Sequence, residues 1–245
     1  MVGLHMKHLY IYVGVILVVI ISLLALSLIT GFPLKLGGPI SSSEAGYSTS
    51  TISPNTLVIT YGRINLAYVI KPDFSIRSMV VNSTTGGVTI PVPGKITVMT
   101  FQYIRCPDIC HWETYVFVYL MNKTASYGLS GDIVFITLDV DPWRTTLEDV
   151  MAYQKSRARE LLNKVDWIWV LENVDNMTKI WENFRVFVAR DPNTGLITHS
   201  VGFYIFNRNG EIVYIVQPTE DGWKNLDKLA PSIWELLYKV AKMGA

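Results

Sequence analysis

The sequence is poor in the residues that most narrow a reading. It holds two cysteines in 245 residues, Cys106 and Cys110. They stand four apart, so a staple between them would close almost no loop and add little as a structural disulfide. An excess of one sign of charge is missing too. Twenty-one Lys and Arg balance 20 Asp and Glu for a net charge of +1, with no long basic or acidic run, which leaves no electrostatic footprint for nucleic acid. Internal repeats are absent. Histidine is scarce, with four in the chain.

One stretch lacks charge altogether. Leu9 to Leu34 carries no Asp, Glu, Lys or Arg, and Ile11 to Leu28 is almost wholly aliphatic. That length spans a bilayer as a helix. A cleaved signal peptide is the alternative, but its apolar part is usually shorter and ends in a small-residue cleavage site. The reading is therefore an N-terminal flank at 1–8, an uncleaved transmembrane anchor at 9–34, a flexible linker at 35–56 and a folded domain at 57–245. His5 and His8 flank the anchor as interfacial residues. Lys7 and Lys35 lie on either side and barely set orientation. The domain is placed on the extracytoplasmic side of the cell membrane, single-pass, where a cysteine pair could cycle its oxidation state.

Half of the residues are hydrophobic, enough for a sizeable core. Leu57–Ile59 and Ile64–Ile70 read as strands, followed by short strands and turns to Gly94. Then strands and helices alternate. Strands are expected at 95–103, 133–138 and 167–171. Helices are expected near 108–122, from a Thr145 or Thr146 cap to about Asn163, and from an Asp175 cap to Phe184. Strands 201–206 and 212–216 flank Asn209-Gly210, a strong hairpin signal, and a closing helix at about 222–242 carries apolar residues at helical spacing. This pattern implies an α/β protein, a mixed sheet with helices on its faces.

The cysteines fall where a strand hands over to a helix, in Cys106-Pro107-Asp108-Ile109-Cys110. If this stretch is helical, both sulfurs lie on one face, one turn apart. That permits a disulfide or two thiolates on one metal ion. A helix N-terminus lowers thiol pKa, so Cys106 should form thiolate readily. The spacing alone does not choose between redox and metal chemistry. Structural zinc wants four Cys or His ligands, and only His111 and His199 lie beyond the apolar run. Two sulfurs and one imidazole suit copper better. His111 points away from the Cys110 direction on a helix and reads as a neighbour. His199 precedes a strand, where a loop histidine can point into a site. Cys106-x-x-x-Cys110-His111 is also an expanded form of the haem-attachment pattern C-x-x-C-H, in poor context for a porphyrin.

Three stretches are similar to the Sco/SenC family: Thr100 to Cys110, Val134 to Pro142 with Arg144-Thr145-Thr146 behind it, and His199-Ser200 with Phe203 to Gly210. They come in the family's order. The resemblance implies a thioredoxin-like fold on a membrane anchor. It implies a copper chaperone for the binuclear copper site of cytochrome oxidase subunit II, some members also reducing that subunit's cysteines. Carried over, the copper ligands, Cu(I) or Cu(II), are Cys106, Cys110 and His199, with Asp139 near the site orienting ligands or partners. Two positions depart from the pattern: His111 stands where the family has proline, and Thr145 where it has an acidic residue. No proline lies between Leu196 and Phe206, unlike general thioredoxin-like oxidoreductases. The competing readings are a membrane-tethered thiol–disulfide oxidoreductase without a metal role, and a redox or copper sensor.

Overall fold

The computed structural model describes residues 46–243. The apolar run read as an anchor, its flank and the first half of the expected linker lie outside the described residues. Two runs of β-branched and aromatic residues form the centre of the fold. Ile96–Gln102 (β6) and Ile133–Asp139 (β7) are buried along their whole length. They pair in parallel, from Ile96 opposite Ile133 to Gln102 opposite Asp139. Parallel strands covered on both faces need no polar alternation, which is why both runs are nearly continuous in apolar residues.

Around them stand β1 (Tyr47–Ser53), β2 (Thr56–Tyr61), β3 (Ile64–Ile70), β4 (Met79–Ser83), β5 (Gly86–Ile90), β8 (Trp167–Val170), β11 (Phe203–Phe206) and β12 (Ile212–Pro218). Together they make one mixed sheet in the order β1-β2-β3-β12-β11-β6-β7-β8-β4-β5. A separate two-stranded sheet joins β9 (Val188–Arg190) to β10 (Ile197–His199). The helices are α1 (Cys110–Ser126), α2 (Leu147–Ala158), α3 (Val174–Asn183), α4 (Glu220–Lys224) and α5 (Leu226–Met243). Among the described residues no helix is long and apolar enough to cross a membrane.

The two-residue period of a strand sends alternate side chains to opposite faces. Val98, Phe135, Trp169 and Phe203 face one way, in a core shared with Phe117 and Leu120 of α1 and Ile233 and Leu237 of α5. Met99, Phe101, Ile136, Leu138 and Phe206 face the other way, against Met177, Ile180 and Phe184 of α3. Both cysteines belong to this second core.

Several expectations need correction. The folded part begins earlier than residue 57, because Tyr47–Ser53 pairs antiparallel with β2 and Tyr47 packs on Tyr61 at 5.2 Å between ring centroids. Alternating Thr, Ser and Ile residues suit an exposed edge strand, and their low charge made the segment read as linker. The helix after β6 starts at Cys110, not Asp108, and its first cap, Ile109, has no side-chain hydrogen bond. Cys106 and Pro107 therefore lie in the turn ahead of it. Thr146 does cap α2, accepting from the Asp149 N–H, but the helix gives way at Arg159 (φ 46°) to a 3-10 turn, Arg159–Asn163. Asn173, rather than Asp175, caps α3. The closing helix is broken in two. Thr219 caps α4, and Gly222 lets it lie against β3, where a Cβ would run into the Leu66 carbonyl. The β9–β10 pair had no periodic signal, each strand being three residues long.

Candidate dithiol and histidine site

β6 ends at Gln102, and the chain turns through Tyr103 to Ile109 before α1 begins. The Cys106 N–H donates to the Tyr103 carbonyl at 3.2 Å, which folds the turn back under the strand end. Both cysteines are free thiols and both are buried. Cys106 sits in the turn, and Cys110 is the first residue of the helix.

The two thiols are unlike. Cys106 is held well below the usual thiol range, chiefly because the neighbouring Cys110 thiol donates to it, with His199 and the backbone at Asp108 and Cys110 assisting against burial. Cys110 is pushed upward, first by keeping its proton for that hydrogen bond, then by burial and by Glu113. Of the two sulfurs, Cys106 is thus the readier to form thiolate and Cys110 the readier to keep the proton. Tyr103 beside them is raised to about 12 by burial and by Cys106.

His199 arrives from the far side, 89 residues later. It is the last residue of β10, opposite Val188 of β9. Ser200 fastens this end: its N–H donates to the Phe187 carbonyl, and its hydroxyl accepts from the Phe187 N–H, both at 2.9 Å. His199 Nδ1 lies 2.8 Å from the Ser200 carbonyl. A carbonyl only accepts, so Nδ1 carries a proton, and in the neutral ring Nε2 presents the lone pair. That Nε2 lies 3.8 Å from Cys110 Sγ. The ring meets Tyr103 edge-on, 5.9 Å between centroids. Burial works to lower the His199 pKa, but the Cys106 thiolate and the Glu113 carboxyl outweigh it, and the net direction is upward.

Glu113 is the residue that sequence reasoning missed. It lies one turn beyond Cys110 on α1 and is wholly buried. One carboxyl oxygen accepts from the Thr100 hydroxyl at 3.1 Å and more distantly from the Gly202 N–H at 3.4 Å. The other has no partner. Burial pushes its pKa up to about 8, with His199 and Thr100 opposing. A signal existed: Glu113 occupies the same helical stripe as Cys110, Phe117 and Leu120, all buried. Thr114 next to it lies 2.8 Å from both the Cys110 carbonyl and the Tyr153 hydroxyl, and so ties the start of α1 to α2.

Cys106, Cys110 and His199 are thus brought together. Asp139 makes no hydrogen bond to any of the three. It ends β7, opposite Gln102, and its Oδ1 accepts from the Asp141 N–H and the Thr145 hydroxyl while Oδ2 has no partner. Burial raises it to about 7. Its hydrogen bonds serve the turn after β7, in which Arg144 pairs with Asp141 at 2.7 Å and donates to the Gly195 carbonyl. Through Arg144, that turn reaches the loop between β9 and β10. His111 is exposed. Among the described residues no group of three or more His, Cys, Asp or Glu side chains is already arranged to hold a metal ion. A groove of 1280 Å³ beside α2, lined in part by Leu147, Met151 and Trp167, contains none of these groups.

A strand, a dithiol turn, a helix and a returning histidine on a mixed sheet define a thioredoxin-like dithiol domain. Residues 89–233 match the model of the SCO1/SenC family, and the chain belongs to that family. The yeast (Saccharomyces cerevisiae) mitochondrial protein SCO1 is 24% identical over 146 residues, 57% of this chain and 47% of that one. The human mitochondrial SCO1 homologue is 22% identical, over 49% of this chain and 39% of its own length. The chain thus spans half or less of these relatives. Among solved structures, Arabidopsis thaliana ScoI with copper bound superposes with a TM-score of 0.54 at 23% identity, covering 67% of this chain and 98% of that one. Yeast Sco1 with copper bound gives 0.52 at 20% identity, covering 64% and 87%. These likenesses establish the shared fold.

Proposed function

We propose that the protein is a membrane-anchored copper metallochaperone. It carries one copper ion on Cys106, Cys110 and His199 and delivers it to the binuclear copper site of cytochrome oxidase subunit II, on the extracytoplasmic side. The observation that carries this reading is the approach of His199 Nε2 to Cys110 Sγ at 3.8 Å. A sulfur at about 2.3 Å and a nitrogen at about 2.0–2.1 Å from one ion stand ~3.5–3.8 Å apart at tetrahedral to trigonal angles. The donor chemistry fits as well. Two thiolates are soft enough for Cu(I), and the added imidazole lets the site hold Cu(II). Structural neighbours support the same reading: two Sco proteins were solved with copper bound, and a third is a member of the Sco family of cytochrome c oxidase assembly proteins. The residues do definite work. Cys106 is ready as thiolate, Cys110 must release its proton, and Ser200 holds the imidazole in the ligating tautomer. Asp139 supports the site through the Asp141–Arg144 turn.

The test is a parallel titration of the wild type and His199→Ala with Cu(I) and Cu(II). Cu(I) binding should weaken partly. Stable Cu(II) binding, and the visible thiolate–copper absorption, should be lost. Equal binding of both ions by both proteins would remove His199 from the site.

A second reading, thiol–disulfide exchange, is favoured by the unequal thiols. The Cys106 thiolate attacks a partner disulfide and forms a mixed disulfide. Cys110 then gives up its proton and displaces the partner's sulfur, so the partner is reduced as the pair becomes a disulfide. The two activities are compatible, because a dithiol copper site must be reduced before it is loaded. His199→Ala should retain this exchange, slowed only as far as Cys106 loses the imidazole's support.

A further inference from the structure

Tyr103 touches every group of the site. It lies one residue past the end of β6 and is 4% exposed. Its carbonyl accepts from the Cys106 N–H at 3.2 Å, and its own N–H faces the Cys110 sulfur. Its ring meets the His199 ring edge-on, 5.9 Å between centroids and 83° between planes. Its hydroxyl has the Cys106 sulfur and the Ile197 main chain as hydrogen-bonding neighbours. Ile197 favours the ionised phenol, as an N–H donor does. The Ile197 N–H therefore points at the phenol oxygen, and the phenol proton is left for the Cys106 sulfur.

Packing alone does not call for this hydroxyl. Phe101 points the same way two residues earlier, lies in the same core, and packs edge-on against Tyr204 at 4.8 Å. A phenylalanine at 103 would fill the space as well, without a buried hydroxyl that needs a partner. The partners that Tyr103 finds belong to two separate elements. Cys106 is in the turn that leaves the main sheet, whereas Ile197 and His199 lie on one face of β10, in the two-stranded sheet. Among the described residues β10 pairs with β9 and with no strand of the main sheet. Arg144 ties the loop end of this hairpin at Gly195, but the 3.8 Å approach of His199 to Cys110 is made at the other end. We infer that Tyr103 is the positioning residue of the site: its hydroxyl ties Ile197 to Cys106 and its ring edge backs the imidazole, so that the nitrogen arrives at the sulfurs. The inference rests on the copper reading above and deepens it. Cu(I) held by two thiolates depends little on such a tie, whereas Cu(II) needs the imidazole in place.

The experiment compares the full chain as wild type, Tyr103→Phe, Tyr103→Leu and Phe101→Leu. In the metal-free protein, hydrogen exchange at the Ile197 amide should quicken about tenfold in Tyr103→Phe, as the loss of one hydrogen bond allows. The amide of Thr198, which pairs with Ala189 across the hairpin, should keep its wild-type rate. In copper titrations Tyr103→Phe should lower Cu(II) affinity about tenfold, shift the visible thiolate–copper band, and leave Cu(I) affinity within about twofold of wild type. Tyr103→Leu, which loses the ring too, should lose stable Cu(II) binding as His199→Ala does. Phe101→Leu should lower stability and leave the ratio of Cu(II) to Cu(I) affinity unchanged, as the loss of a merely space-filling ring would. Tyr103→Phe keeps the ring and carries the test alone if Tyr103→Leu fails to fold. Wild-type exchange at Ile197, an unchanged ratio and band, or equal loss of both ions in Tyr103→Phe would each overturn the inference. If His199→Ala loses Cu(II) while Tyr103→Phe behaves as wild type, the inference alone falls. If His199→Ala binds both ions as wild type does, the copper reading falls and takes the inference with it.

Discussion

At the N-terminal ends of β6, β7 and β8, Lys95 meets Asp166 at 2.9 Å and Arg208 meets Asp132 at 2.9 Å, all four partly in solvent. At the C-terminal ends of the same strands, the polar groups are buried and short of partners. Among the described residues six buried side-chain polar atoms lack a hydrogen bond, and four of them belong to Gln102, Glu113, Asp139 and Asp141. A buried unpartnered carboxyl works against folding, whereas an exposed ion pair contributes little either way. Stability alone gives no reason to bury charge at one end when water is available at the other. The thiols and His199 are at the end where folding is opposed, which is the usual sign that a site was selected for its chemistry.

Three substitutions bear on this contrast. The largest effect is expected from Cys110→Ser, which should lower Cu(I) affinity by about a thousandfold or more, since a hydroxyl is a poor ligand for a soft ion. Competition with a Cu(I) chelator measures it. Loss of less than tenfold would show that the buried thiol is not a ligand.

Glu113→Gln comes next, and its sign follows from the raised pKa. With a folded value of about 8 against 4.5, the folded state keeps a proton that the unfolded state releases. Folding therefore suffers no penalty from Glu113 below about pH 4.5, loses stability progressively as pH rises, and bears the whole penalty above about pH 8. The neutral amide should match the wild type at pH 4 and exceed it at pH 9 by roughly a few kcal/mol. Urea denaturation at the two pH values checks it. A gain equal at both would mean that the carboxylate is compensated in the fold. Asp139, also raised, adds to the same downward slope in both proteins and cancels from the difference.

The smallest effect belongs to the opposite end. Lys95→Ala should change stability by at most about 1 kcal/mol and leave copper binding unaltered. A larger change in either would erase the distinction between the two ends.

Much of the C-terminal end was legible in the sequence. The apolar runs of β6 and β7, the cysteine spacing and the His199 motif each carry a local signal. What was not legible depended on tertiary contacts. Glu113 reads as an ordinary first-turn acid until its stripe is seen to face the core. The turn holding Cys106 reads as helix because nothing local marks where the ladder of hydrogen bonds begins. β1 reads as linker because its residues are polar, and only β2 makes it a strand. β9 and β10 are too short for a period, so the element that orients His199 emerged only from the hydrogen bonds of Ser200 and Phe187.

That small two-stranded sheet has a consequence for how such a protein diverges. The dithiol turn belongs to the main sheet, and the imidazole belongs to an appendage paired with it only through side chains and loops. In a descendant, one substitution at position 199 would discard the nitrogen donor while leaving the sheet, the thiols and their exchange chemistry in place, and the reverse change would restore it. Under the proposed function, transport of a metal and transfer of electrons are thus inherited as separable traits of one scaffold.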